Sequence, residues 1–191
     1  GVVIARPART DVPADRLREV ASQVGDVAPL AERDFELLEF CAAYYLRPLG
    51  ETLHASLPPR LRQTRRRAIK TPEAEPPSRG PFPSPVEATP AQAAAIARIR
   101  EGFGRFHPVL LAGITGSGKT EVYLRLIAEA LERGLQALYL VPEIGLTPQL
   151  EARVRSRFPE APIVAAHSHL GEGERAAAWL AAQSGRARIV P

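Results

Sequence analysis

Residues 109–120 read VLLAGITGSGKT: an apolar run, a glycine, four further residues, then Gly-Lys-Thr. That spacing is the phosphate-loop pattern, and it stands where its mechanism requires, between an apolar strand and an amphipathic helix. Gly113, Gly116 and Gly118 allow the backbone through Ile114, Thr115 and Ser117 to curl so that its N–H groups face phosphate oxygens. The helix beginning near Lys119 adds the positive end of its dipole. Lys119 supplies a mobile cation for the β- and γ-phosphates, and the Thr120 hydroxyl completes a Mg²⁺ shell. The competing reading is a glycine-rich turn that binds nothing. Agreement of pattern and context favours the nucleotide.

Outward from this loop the sequence alternates. Strands are predicted over 109–114, 136–141, 163–168 and 187–190. Helices are predicted over 89–102 (Thr89 as cap, Pro90 in the first turn, Gly102 at the exit), 119–134 closed by Gly134, 147–158 capped by Thr147, and 172–185. Such alternation predicts an α/β fold, a parallel sheet covered by helices on both faces. The last strand is followed at once by Pro191, so more sheet is expected beyond it. A start at Gly1 reads as a truncated or processed chain.

Before residue 89 the character changes. Residues 64–88 include TPEAEPPSRGPFPSP, whose prolines forbid regular helix or central strand, so the stretch reads as a stiff linker and domain boundary. Residues 1–63 hold a short apolar run, GVVIA, and a helical pattern, DFELLEFCAAYYLR. Phe35, Leu38, Cys41, Ala42 and Tyr45 fall on one face of that helix, Asp34 caps its start, and Pro48 and Gly50 stop it. Tyr44 and Tyr45 are expected in the core, with base stacking as the alternative.

The chain has 191 residues, a net charge of +4 and 24% charged residues, the composition of a globular protein with a leaning toward polyanions. No apolar run reaches about 18 residues, so no span is predicted, and a cytoplasmic setting is expected. The lone Cys41 excludes an internal disulfide or a cysteine-based zinc site within these residues. RLRQTRRRAIK, 60–70, carries six basic residues and no acid. It reads either as a solvated linker or as a nucleic-acid contact through Arg65, Arg66 and Arg67.

Other candidates flank the loop. Gln92, one turn into the helix from Thr89, has an amide able to donate to and accept from an adenine edge, which selects ATP over GTP; a solvent-facing glutamine is the plainer reading. LVPEIGLTPQ, 140–149, ends a strand and opens a helix at the carboxyl edge of the sheet, where ligands of open α/β sheets sit. Its uncharged donors suit a phosphodiester backbone. His167 and His169 read as a strand-end loop rather than a metal pair, and Trp179 as core.

Taken in order, AGITGSGKTEVYL, QALYLVPEIGLTPQ, HSHLGEGERAAAWLAA and ARIV resemble the primosomal protein N′ (PriA) family of bacterial replication-restart DNA helicases. FCAAYYLRPLGETLHASLPPRLRQ resembles the end of that family's N-terminal DNA-binding domain. The resemblance implies a superfamily 2 motor with a RecA-like first lobe over 89–191. Such a motor uses ATP and Mg²⁺ to move 3′ to 5′, binds stalled forks and D-loops, and promotes reloading of the replicative helicase. It also implies primosome partners, a helicase loader and single-strand-binding protein. By it, Lys119 and Thr120 are the Walker A pair, Gln92 contacts adenine, Gly145, Thr147 and Gln149 track single-stranded DNA, and Arg18 belongs to the pocket for a 3′ end.

The departures from the family pattern are equally specific. No Asp-Glu box, second motor lobe, arginine finger, winged helix or zinc-binding cysteines occur within these residues, although zinc is expected in full-length members. Residues 1–191 alone are therefore expected to bind ATP without unwinding DNA. The rival reading is a non-catalytic fork-binding scaffold.

Overall fold

A computed structural model describes residues 2–3, 9–20, 27–63, 69, 82, 84, 86–141 and 147–191, with Thr147 described in its backbone alone. The chain divides into two compact units: Gly1–Thr71 with His169–Leu180, and Pro72–Ser168 with Ala181–Pro191.

In the first unit, α1 (Glu32–Tyr44) packs against α2 (Leu49–Ser56). Its inward face follows the predicted periodicity in part: Ala42 is buried, and Phe35, Leu38 and Cys41 are half-buried. Asp34 stabilises the start from inside the first turn, its Oδ2 accepting the Ala31 N–H at 2.8 Å. The helix ends before Pro48, because Leu46 adopts a left-handed φ of 52° and turns the chain. Pro48 instead precedes α2 as its N-cap, with Gly50 inside that helix. A short 3-10 turn, Pro59–Arg62, buries Leu61. Arg62 braces it by donating to the Leu57 carbonyl at 2.8 Å and meeting His54 Nδ1 at 3.0 Å.

One expectation for this unit fails. Tyr44 and Tyr45 are each 68% exposed and lie outside the core. The left-handed turn begins there, and the Tyr44 ring stacks on Phe40, with centroids 5.6 Å apart, rather than on an interior neighbour. Of the apolar run GVVIA, Val2 and Val3 lie in no strand, and Gly1, Ile4 and Ala5 fall outside the described residues.

The second unit is built around α4 (Lys119–Glu132). Leu124, Ile127, Ala128 and Leu131 recur at three- and four-residue spacing, so they make one apolar stripe. That stripe meets Val154 and Phe158 from α5 (Thr147–Arg157) and the residue after it, and Ile189 from β2 (Ile189–Val190). Phe158, Ile189 and Val154 are fully enclosed. α4 closes as predicted: Gly134 takes φ 78°, its N–H donates to Leu131 O, and Leu135 N–H donates to Ala130 O. α3 (Pro90–Arg100) packs beside α4; α6 (Glu172–Gln183) begins in the first unit's His169–Leu180 segment, and its last turn, in the second unit, leads to Gly185, which has φ 74°. Trp179 in α6 is half-buried.

The sheet is smaller than expected. β1 (Ala137–Leu138) pairs in parallel with β2, Ala137 opposite Ile189 and Leu138 opposite Val190. Ile163 bridges Ile189 from the other side, and Val164 N–H donates to Ile189 O at 3.0 Å. The central position thus belongs to Ile189. The predicted strand 109–114 forms no ladder among the described residues. Val109, Leu110 and Ile114 are 41%, 92% and 82% exposed. An apolar run says that a segment can be buried in a sheet; only an adjacent backbone edge makes it a strand. Both edges of Ile189 are already taken by Ala137 and Ile163.

The end of the proline-rich stretch is part of this unit. The Phe82 ring sets its edge against Phe158, centroids 5.3 Å apart, and its N–H reaches Glu132 Oε1. Replacing Phe158 by Ala should lower the unfolding free energy by about 3–5 kcal/mol, and Phe82→Ala by about 1–2 kcal/mol, both read from urea unfolding followed by circular dichroism. Equal losses at the two positions would mean that Phe82 is as central to the core as Phe158.

Candidate nucleotide-binding site

The loop 113–118 runs directly into α4. Gly116 and Gly118 both have φ 82°, in the left-handed region. At the helix N-cap, Gly118 carries no side chain to satisfy the first-turn N–H groups, and no side-chain cap bond is made there. A helix start of this kind leaves backbone donors, reinforced by the helix dipole, for an anion. Lys119 and Thr120 open the helix and are half-buried, while residues 113–117 are exposed. The arrangement fits Mg²⁺ with a nucleoside triphosphate: uncapped amides for the phosphates, an ammonium beside them and a hydroxyl for the ion.

Lys119 engages the loop itself. Its Nζ donates to Gly113 O at 2.5 Å and Ile114 O at 2.9 Å. The ammonium thus spans the mouth of the curl that a phosphate would enter. Gln92 is also brought to the loop. Its backbone N–H bonds Thr89 Oγ1 at 3.3 Å, its Oε1 accepts the Thr89 N–H at 2.9 Å, and its Nε2 donates to Gly118 O at 3.3 Å. The first two bonds form a reciprocal capping box for α3. The third ties that helix to the phosphate loop.

A second set of contacts holds α4 just past the loop. Glu121 Oε1 accepts from Ser84 Oγ at 2.5 Å and from Arg125 Nε at 2.8 Å. Arg125 also donates to Ser84 Oγ at 2.9 Å and to the Val86 carbonyl. Partial burial pushes the Glu121 carboxyl upward, but the Ser84 hydrogen bond, the bond and charge of Arg125 and the charge of Arg157 together hold it below its ordinary value. The Glu121–Arg125 spacing of four is readable as a helical ion pair. Ser84, 37 residues from Glu121, carries no local signal of its role.

Arg18 is exposed, just after a 3-10 turn at Ala14–Arg16. Gln149 is exposed in the first turn of α5, which begins at Thr147. Gly145, Arg65, Arg66, Arg67 and the Thr147 side chain lie outside the described residues. His169 sits in a turn, and no cluster of three metal-ligating side chains forms among the described residues. No described helix is long and apolar enough to cross a membrane.

A phosphate loop feeding an uncapped helix, in an α/β unit, defines a phosphate-loop nucleotide-binding protein. Residues 89–190 match the DEAD/DEAH box helicase family, and the chain belongs to that family. Residues 1–58 match a 3′ DNA-binding domain (3′BD). The chain is similar to proteins named Replication restart protein PriA. That of Synechocystis is 47% identical over 104 residues, 54% of this chain and 12% of the relative. That of Haemophilus influenzae is 51% identical over 85 residues, 44% and 12%. That of Rickettsia felis is 32% identical over 151 residues, 79% and 22%. The resemblance drawn from the motifs is therefore borne out, and the chain spans 12–22% of these relatives' length.

Because folding lowers the Glu121 pKa, the stability it contributes is complete above the ordinary carboxylate range and is lost as pH falls through the folded value. Glu121→Gln should destabilise the chain at pH 7, and its deficit should shrink as pH falls through the folded value and the native carboxyl is protonated as well. Urea midpoints measured across that acid range and at pH 7 test this. A deficit independent of pH would show that the carboxylate charge is not what fastens residues 84–86 to α4.

Proposed function

We propose that this chain is the nucleotide-binding and DNA-contacting part of an ATP-dependent 3′-to-5′ DNA helicase of replication restart, acting at stalled forks and D-loops. The observation that carries the reading is the junction of loop and helix at Gly118–Lys119. An uncapped helix start, a lysine poised over the loop and a threonine beside it stand within the residues that match the helicase family. The match of residues 1–58 to a 3′ DNA-binding domain, in the same chain, supports DNA as the track. The names of the relatives support replication restart as the setting.

In this reading residues 89–191 contribute to a RecA-like lobe. The amides of 113–118 and the Lys119 ammonium hold the phosphates, Thr120 holds Mg²⁺, and Gln92 reads the adenine edge. Bound ATP supplies the free energy of γ-phosphate hydrolysis. Gly145, Thr147 and Gln149 follow a single strand, Arg18 serves the 3′-end pocket, and Arg65, Arg66 and Arg67 neutralise phosphates. Partners of the whole protein are primosome proteins, a loader of the replicative helicase and single-strand-binding protein, in the nucleoid-bearing cytoplasm.

Titration of the chain with a fluorescent ATP analogue and Mg²⁺ should give saturable binding, weakened more than about tenfold by Lys119→Ala. Binding indifferent to that substitution would remove the loop from the nucleotide site. Affinity for a 3′-ended single strand should fall steeply with salt. The triple change of Arg65, Arg66 and Arg67 to Ala should flatten the slope of log K against log[salt] by about 2. An unchanged slope would assign those arginines to a bare linker.

A further inference from the structure

The inward face of α1 carries Ala42 with Phe35, Leu38 and Cys41, and the helix packs on α2. The opposite face is not the polar one that a surface helix ordinarily presents. Arg33, Leu37, Phe40 and Tyr44 succeed one another at spacings of four, three and four, so they form a single stripe. Leu37 and Phe40 are each 60% exposed and Tyr44 68%, and Arg33 is exposed with them. The rings of Phe40 and Tyr44 lie stacked with their planes 26° apart, and Tyr45 sets its edge on Tyr44 at 4.9 Å.

That spacing is the a and d seam of a two-helix coiled coil. The stripe is also complementary to itself when reversed. About a two-fold axis between Leu38 and Glu39, Leu37 of one copy faces Phe40 of the other, and Arg33 faces Tyr44, a guanidinium against a ring. A parallel pairing would instead set Arg33 against Arg33. Together with Leu46, 90% exposed just past the helix, the stripe offers roughly 500 Å² per copy. A pair therefore buries about 1,000 Å², enough for a specific but weak association. Nucleic acid fits this face poorly, because α1 holds Glu32, Asp34, Glu36 and Glu39 against Arg33 alone and so repels phosphates.

We propose that the outer face of α1 is a self-association surface, through which two copies of this chain pair antiparallel as a weak symmetric dimer. The contact is independent of the nucleotide-binding reading. It lies in the residues that match the 3′ DNA-binding domain, so the pair presents two such domains in one particle and gains avidity for a substrate with two ends.

Sedimentation velocity of the 191-residue chain, from micromolar to sub-millimolar loading, should show a concentration-dependent monomer–dimer equilibrium. Phe40→Glu should weaken association more than about tenfold. Arg33→Glu should weaken it about fivefold, since symmetry breaks the contact with Tyr44 twice. The register is tested by joining Arg33→Glu to Tyr44→Arg, which places opposite charges face to face across the antiparallel pair only. The double variant should associate at least about threefold more tightly than Tyr44→Arg alone. Circular dichroism checks that each variant keeps its helices, and a variant that loses them is replaced by Leu37→Gln, expected to weaken association as well. A chain that stays monomeric throughout, or a dimer indifferent to Phe40→Glu, overturns the proposal, as does the absence of rescue in the double variant. Oligothymidylate binding to a monomeric chain that Phe40→Glu abolishes would give the face to bases and overturn it too.

Discussion

The first turn of α4 carries no side-chain cap, while the rest of the helix is held firmly by packing and ion pairs. An open helix start forgoes about 1 kcal/mol of capping stabilisation. Compensation comes from further along. Leu124, Ile127, Ala128 and Leu131 pack on Val154, Phe158 and Ile189, Gly134 closes the far end, and Glu121 with Arg125 grips Ser84 and Val86. Glu129 meets both Arg100 and Arg133, and Arg133 lies over the Phe103 ring at 4.5 Å. These exposed ion pairs are individually small, so the apolar stripe contributes most of the anchoring.

How much of this could be read from the residues depended on whether the signal was local. The helices around the loop were legible because their determinants are near neighbours: Thr89 with Gln92 three residues on, the 124/127/128/131 stripe, Gly134 and Gly185 in left-handed exits. The curl of the glycine-rich loop, with Gly116 and Gly118 left-handed, was legible for the same reason. Strands were not, because pairing is decided by segments far apart. Residues 109–114 and 136–141 look alike as apolar runs, yet only the second finds a ladder, through Ala137 on Ile189.

The aromatic residues of α1 illustrate the same division. Periodicity placed Tyr45 beside Phe35, Leu38 and Ala42, but a helix face continues only as long as the helix does. The left-handed Leu46 ends it at once and leaves both tyrosines exposed. In the site, Lys119 and Thr120 followed from spacing, whereas the loop carbonyls that receive Lys119 and the Gly118 carbonyl that receives Gln92 are features of backbone conformation. No side-chain pattern records them.

The fastening of Phe82, Ser84 and Val86 to α4 has a mechanical consequence. Phe82, Ser84 and Val86 lie along the helix that carries Lys119 at its tip, Phe82 reaching Glu132 at the far end and Ser84 reaching Glu121 near the loop. Tension applied at Phe82 would therefore bear on α4 at Glu132 and, through Ser84, at Glu121. A pull on residue 82 loads the same rod that a phosphate would touch at its far end.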